Sequence, residues 1–452
     1  MVEKSLREWA ENLEKRGDLV VIDKEVSTKF EIAAYIKKSC EVEGPAFRFT
    51  NVTGYETEVI GGFYGTKARI LESVGVETHE QGVAKYVDAT NNLIEPELVS
   101  KAPVKEVIKT GEDVDLYEIP LVHHSKMDLG DYITGASLIA NLPHSGVRGS
   151  GIHRMYRQSK QELTIWAPPE RRIGYAYRVN QDKGEPTEVA VVIGPPPAVT
   201  MGSISNVPHF VDKLSVAGGL QGSAIELVKC ATIDVDVPAH AEMVIEGIIH
   251  PEKLVEEAPF GEFPGTYGPK QMSPIVEITG IMHRSDAMYH TILTGFPPTE
   301  NNLMNWLPRS ATVRQDAERA VPSVKQAIVK CDPYSGGNGM YEAFVSIDKR
   351  LEGDPRNVIA AVLGGRCQAK YCVVVDSDID LYDERQINWA LNTRVQPHRD
   401  VMTFPAMTGA PLDPSGPPRQ SEKMGIDATV PLDGDKFTFS RVTVPGTDEV
   451  EW

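Results

Sequence analysis

Two glutamates, Glu257 and Glu262, stand five residues apart in the stretch Glu257-Ala258-Pro259-Phe260-Gly261-Glu262-Phe263-Pro264-Gly265. Proline lacks an amide donor and glycine tolerates unusual dihedrals, so the stretch predicts a shaped loop and not a helix. Phe260 and Phe263 put apolar surface beside the acids. Desolvation there raises a carboxyl pKa toward that of a general acid, while a nearby arginine would keep the other carboxylate ionised. The same residues also describe a solvated acidic turn, because acidic loops are common on surfaces.

A second stretch is Arg148-Gly149-Ser150-Gly151-Ile152-His153-Arg154. Glycines ahead of a strand leave backbone amides open to a phosphate, and the arginines add charge. A turn merely marked by glycine is the alternative. A third, Gly194-Pro195-Pro196-Pro197-Ala198 followed by Met201-Gly202-Ser203-Ile204-Ser205, reads as a Pro-rich turn leading to small hydroxyl residues. It either lines a ligand pocket or forms a rigid loop. Asp376-Ser377-Asp378-Ile379-Asp380 imitates a calcium loop, which needs Gly at its sixth position and Glu at its twelfth. Leu381 and Ile387 stand there, which excludes it. A strand end followed by a helix N-terminus accounts for these acids. His123-His124 would face opposite sides of a strand, with no acidic cluster beside them. Cys367 and Cys372 lack the second pair that a zinc site needs.

The elements that must carry these residues follow from periodicity. Leu6, Trp9 and Leu13 recur at helical spacing and Gly17 ends the pattern. A second helix is expected over 30–36, with Thr28 as a candidate N-cap. Short strands are expected over 46–49 and 58–64, which makes the first hundred residues a small α/β unit. A Pro-bounded charged connector covers 103–120. Runs rich in Val, Ile and Thr then predict antiparallel strands over 162–166, 188–193, 226–235, 242–249, 275–282 and 288–293, in a barrel or sandwich. Residues 211–217 interrupt them as a helix. Beyond 308, helix and strand signals alternate. A buried parallel strand is expected over 370–376, a helix over 383–393 and a loop over 405–418.

The composition narrows the function. The 452 residues carry a formal charge of −18, which argues against binding nucleic acid through phosphate neutralisation. No apolar run reaches the roughly 18 residues a membrane span needs. The first 16 residues alternate charged and apolar types, unlike a secretory leader. Five scattered cysteines argue against a disulfide framework and for a reducing cytoplasm.

Taken together, these stretches resemble the UbiD family of (de)carboxylases, which use prenylated FMN. The likeness rests on Asp115-Leu116-Tyr117-Glu118-Ile119-Pro120, Gly151-Ile152-His153-Arg154, Gly194-Pro195-Pro196, Glu226-Leu227-Val228-Lys229-Cys230 and Glu257-Ala258-Pro259-Phe260-Gly261-Glu262. Val375-Asp376-Ser377-Asp378-Ile379-Asp380 and Gly425-Ile426-Asp427-Ala428-Thr429 complete the family's order. The resemblance implies an α/β (α+β) fold. Its parts would be an N-terminal α/β domain over 1–110, a central split β-barrel flavin-binding domain over 111–305, and a C-terminal α/β oligomerisation domain over 306–452. It implies a catalytic set of Arg154, Glu257 and Glu262, with Glu262 protonating the carbon left by CO2. It implies cofactor contacts from Ile152, His153, Arg154, Trp166, Ala167, Pro168, Arg171, Ser203, Ser205 and Lys213, and a substrate pocket bordered by Phe263. The reaction would be reversible decarboxylation of an aromatic, heteroaromatic or α,β-unsaturated acid. A flavin prenyltransferase would supply the cofactor, and the chain would form a homo-oligomer in the cytoplasm, away from nucleic acid and membrane.

The departures are specific. The family's divalent metal is held by Asn, His and Glu, and those positions carry Gly149, Glu170 and Lys213 here. Glycine offers no ligand atom and lysine is a cation. Both the metal and the family's potassium ion are called into question. In one reading, Lys213 holds the cofactor phosphate directly, since a carboxylate with a divalent ion carries the same single positive charge. In the other, the chain is a cofactor-poor, non-catalytic partner subunit of a multi-subunit carboxylase. A binding protein or a flavin redox enzyme is a third class. Retention of Arg154, Glu257 and Glu262 favours the first.

Overall fold

The computed structural model describes residues 2–257, 259–330, 342–435, 437–447 and 450. Ala258 of the acidic loop and Cys331 lie outside them. The remaining four cysteines are buried and free. Residues Met1–Ala311 form one compact unit and Thr312–Lys330 with Tyr341–Trp452 a second.

The first unit begins with the expected amphipathic helix, Leu6–Lys15. It is capped by the Ser5 hydroxyl and buries Leu6, Trp9 and Leu13. The second helix is Glu31–Glu41, and Thr28 does not cap it. Phe30 takes the N-cap position at φ 69 with no side-chain bond. Strands Leu19–Ile22, Ala46–Phe49, Glu58–Gly61 and Met288–His290 form a four-stranded sheet in that order. Its last strand comes from far along the chain.

The centre of this unit is a nine-stranded sheet whose ladders are all antiparallel. Its order runs from Tyr132–Ile133 through Met155–Arg157, Glu162–Ile165, Gln271–His283, Met243–Glu257, Thr187–Ile193 and Ala136–Asn141 to Arg148–Ile152. Val107–Thr110 pairs beside Gln271–His283. Only His153 and Arg154 separate Arg148–Ile152, at one end of the order, from Met155–Arg157, near the other. Two residues span at most about 7 Å. The sheet therefore curls until its two ends come close, and among the described residues no ladder joins them. Inward side chains from these strands, among them Leu138, Met155, Ile165, Val191, Ile245 and Val276, meet in one apolar cluster.

Several expected bounds shift. The strand expected over 226–235 stops at Lys229, and that expected over 288–293 stops at His290. The Gly-rich stretch does not precede a strand: its glycines lie inside one, Arg148–Ile152. The Pro-rich third stretch is no loop either but the short buried helix Pro197–Ser203. Helix Arg172–Gln181, which the sequence reading lacked, packs on the strands Arg148–Ile152 and Met243–Glu257.

The second unit holds a five-stranded sheet ordered Val324–Val329, Glu342–Ile347, Tyr371–Asp376, Gln420–Ala428, Val401–Thr408. Tyr371–Asp376 is the buried parallel strand expected from its β-branched run, parallel to both neighbours. Helix Glu384–Arg394 follows, capped by Asp383. Asp376 and Asp378 do not serve that helix end; both bind the buried Arg394 guanidinium. The loop expected from residue 405 is displaced by the strand Val401–Thr408. Pro405 is tolerated there because the strand is at the sheet edge and its register slips between Phe404 and Met407. No helix among the described residues is long and apolar enough to cross a membrane.

Candidate active site

Arg154 occupies the two-residue crossing between the ends of the curled sheet. Its Nε donates to Glu257 Oε1 at 3.0 Å, and its Nη1 pairs with Glu262 Oε1. The three residues expose 9, 1 and 7 % of their surface, so this is a buried cluster and no solvated turn. The guanidinium lies over Trp166, 4.9 Å from its ring centre, and over Phe260 at 5.2 Å. Flat apolar faces thus fix the plane of the cation and exclude water from it. One cation thus faces two carboxyl groups in the same buried cluster.

Each acid has its own support. Glu257 ends the long strand Met243–Glu257, and its Oε2 accepts from Ser273 Oγ at 2.7 Å on the neighbouring strand. Tyr132 faces the same carboxylate; burial first, then the Glu257 charge, push its phenol upward. Glu262 stands at the start of a tight turn, with its amide on Thr266 O and its carbonyl accepting from Gly265 N, both at 2.9 Å. Gly265 turns the chain at φ 85, a left-handed geometry that glycine adopts without strain. On either side of Glu262, the Gly261 amide donates to Asp128 Oδ1 at 2.8 Å and Asn302 Nδ2 donates to the Phe263 carbonyl at 2.9 Å. Phe263 is itself buried. Sequence spacing gave no hint of Asp128, Tyr132, Ser273 or Asn302, because each acts from a distant segment.

A second group surrounds Lys213, the first residue of helix Lys213–Gln221. Asp212 caps that helix and also receives Arg148 Nε at 2.8 Å. Lys213 Nζ donates to the Ser203 carbonyl at 2.7 Å. The Ser203 hydroxyl meets Ser150 Oγ at 2.7 Å, and Ser205 Oγ donates to Gly202 O. Desolvation, then Arg172 and Arg171, hold Lys213 well below the ordinary lysine value. Arg172 is pulled down to about 10, mainly by burial. The Arg171 pKa is lowered first by desolvation and then by the like charge of Arg309. His153 stays neutral, its pKa pushed to about 4 by burial, with Nδ1 on the Trp166 carbonyl at 2.8 Å. Ile152 is half-buried at the strand end; Ala167 and Pro168 lie over Gly174, where a Cβ would come within 2.6 Å of Ala167 O. A desolvated cluster of cations suits the phosphate of a nucleotide cofactor.

The metal positions behave differently. A Cβ on Gly149 would stand 2.6 Å from Leu142 Cδ2 and 3.2 Å from Arg172 Cβ. The space an asparagine would need is filled. Glu170 is exposed, and Lys213 already binds a carbonyl. Among the described residues no group of three or more His, Cys, Asp or Glu side chains could hold a metal ion. This donor set does not fit the family's divalent site. His124, doubted as a ligand from the sequence, is buried on Thr291 Oγ1 at 2.9 Å.

The curled antiparallel sheet thus carries a buried Glu–Arg–Glu cluster and, around Lys213, a group of cations. Residues 10–88, 97–297 and 302–428 match the N-terminal, Rift-related and C-terminal domains of 3-octaprenyl-4-hydroxybenzoate carboxy-lyase. The chain belongs to the UbiD family. It is 33% identical to anhydromevalonate phosphate decarboxylase of Methanothermobacter thermautotrophicus, over 93% of this chain and 96% of that one. Among solved structures it resembles the UbiD-class enzyme HmfF from Pelotomaculum thermopropionicum in complex with FMN, at 38% identity and TM-score 0.90, covering 99% of both chains. An evolved dimeric form of HmfF in complex with prFMN gives 37% and 0.88, again over 99% of both chains.

Proposed function

We propose that this protein catalyses reversible, non-oxidative decarboxylation of an aromatic, heteroaromatic or α,β-unsaturated carboxylic acid with prenylated FMN. The observation that carries this reading is the buried contact of Arg154 with both Glu257 and Glu262. When bound, prenylated FMN supplies the electron sink for the carbon that loses CO2. Arg154 and Glu257 form the ion pair that orients the site. Glu262 holds the proton that replaces CO2, and a positioned acid of this kind contributes roughly 10²–10⁴ in rate. Lys213, with Arg171 and Ser203 nearby, holds the cofactor phosphate in place of a metal. Phe263 borders the substrate, and the chain works as a homo-oligomer. The family's FMN-bound and prFMN-bound relatives support the cofactor, and the phosphorylated acid named for the archaeal relative belongs among the substrates to be tried.

The test is expression with a flavin prenyltransferase, an absorption spectrum, and CO2 release from a panel containing anhydromevalonate phosphate, vanillate and furoate. A coloured protein that releases CO2 from at least one acid is expected. A colourless protein without flavin would overturn this reading in favour of the non-catalytic partner subunit.

A further inference from the structure

Glu262 is attached to its surroundings through its neighbours on both sides. The residue before it, Gly261, gives its amide to Asp128 Oδ1 at 2.8 Å. The residue after it, Phe263, accepts at its carbonyl from Asn302 Nδ2 at 2.9 Å. Both bonds are buried. Neither clamp belongs to the acidic loop: Asp128 precedes it by 133 residues and Asn302 follows Phe263 by 39.

The clamps are themselves held. Asp128 Oδ2 accepts from Ser125 N at 2.8 Å, so both carboxylate oxygens are committed to backbone amides. A Cβ on Gly261 would lie 2.9 Å from Ser125 Oγ, which explains why glycine lets the loop come this close. On the other side, Thr299 Oγ1 donates to Asn302 Oδ1 at 2.6 Å, which turns the amide nitrogen toward Phe263. Between the clamps, the Glu262 side chain runs against Gly268, whose Cβ would stand 3.3 Å from Glu262 Cγ. A side chain on a loop has many rotamers and backbone states. Pinning the peptide on both flanks removes most of that freedom, and misplacement of about 1 Å can cost a reaction on the order of 10²-fold.

We propose that Asp128 and Asn302 are positioning residues which together hold Glu262 against Arg154 in the geometry for proton delivery. The proposal rests on the reading of Glu262 as the proton donor. Its test uses the protein loaded with prenylated FMN by co-expression. Hydrogen exchange is followed in peptides covering 259–268, and CO2 release is followed with whichever acid of the panel turns over fastest. Asp128→Ala and Asn302→Ala are expected to speed exchange in 259–268 about tenfold. They should lower kcat on the order of 10- to 100-fold, with KM and the flavin spectrum unchanged. Asp128→Asn keeps one acceptor for the Gly261 amide and should recover most of both effects. Peptides from the strand Tyr371–Asp376 should exchange as in the wild type. Should an alanine variant fail to load or fold, the near-isosteric Asn302→Leu, which loses the amide without adding a charge, takes its place. Wild-type exchange in 259–268, or wild-type kcat with faster exchange, would overturn the proposal. Full CO2 release by Glu262→Gln would instead overturn the assignment of the acid, while the exchange measurement would still judge the clamps.

Discussion

Two charged centres of the first unit solve opposite problems. Around Arg154, one guanidinium meets two carboxylates, and hydroxyl, aromatic and backbone groups close the cluster. Around Lys213, cations gather on one another: Lys213 and Arg172 bind backbone carbonyls, and burial, then the charges of Arg172 and Arg171, depresses the lysine. The first centre sets its cation among carboxyl groups; the second gathers cations that an anion would offset. Under the proposed function, chemistry and anchoring are separate, and each centre should be open to disabling without the other.

Glu262→Gln should have the largest effect. It keeps the shape of the Arg154 contact but removes the transferable proton. Solvent deuterium incorporation into product and CO2 release should both fall roughly 10²–10⁴-fold, with the flavin spectrum intact. Undiminished deuterium incorporation would show that the first centre passes no proton through Glu262. Next comes Lys213→Met, which should weaken FMN binding by roughly one to two orders of magnitude, the worth of a charge-assisted bond. Titration of flavin fluorescence would measure it. EDTA should leave wild-type FMN binding unchanged, and EDTA-induced release would restore a metal to the second centre.

Gly149→Asn sharpens the same contrast. If space and not merely a missing ligand excludes the metal, asparagine should destabilise the fold by about 1–3 kcal/mol without creating a manganese site. Urea denaturation with and without manganese would read both. The smallest effect concerns pH. Buried His79, His124 and His290 are each depressed to about 3, chiefly by desolvation. Each is neutral when folded and takes a proton on unfolding below about pH 6.5. Their stabilisation is complete above that value and is lost as the pH falls. The second unit contains a single histidine, the exposed His398. Between pH 7 and 5, hydrogen exchange should therefore quicken in the first unit's core before the second's. Equal acceleration would remove the histidines from this role.

What the sequence disclosed depended on the range of the interaction. The helix around Trp9 and the strand Tyr371–Asp376 were legible because burial imprints a local period or an unbroken β-branched run. Glu257 and Glu262 were legible as a pair because one loop carries both. Arg154 was legible only as charge in a Gly-rich stretch, and the resemblance alone joined it to Glu257, 103 positions along the chain. The glycines at 149 and 151 were misread as a turn, because a strand that needs close packing against Leu142 and His153 selects the same residue. Pro405 misled for a related reason: an irregular edge strand permits what a central strand forbids. Asp128 and Asn302 left no mark, because a side chain that serves another segment's backbone has no preferred spacing.

The strand Met288–His290 adds a practical constraint. It lies along Glu58–Gly61 as the outermost member of the first sheet. A fragment ending near residue 110 would leave the hydrogen-bonding groups of Glu58–Gly61 bare, and bare strands recruit copies of themselves. Excising the opening segment for separate study would therefore yield aggregates unless residues 288–290 were spliced back in.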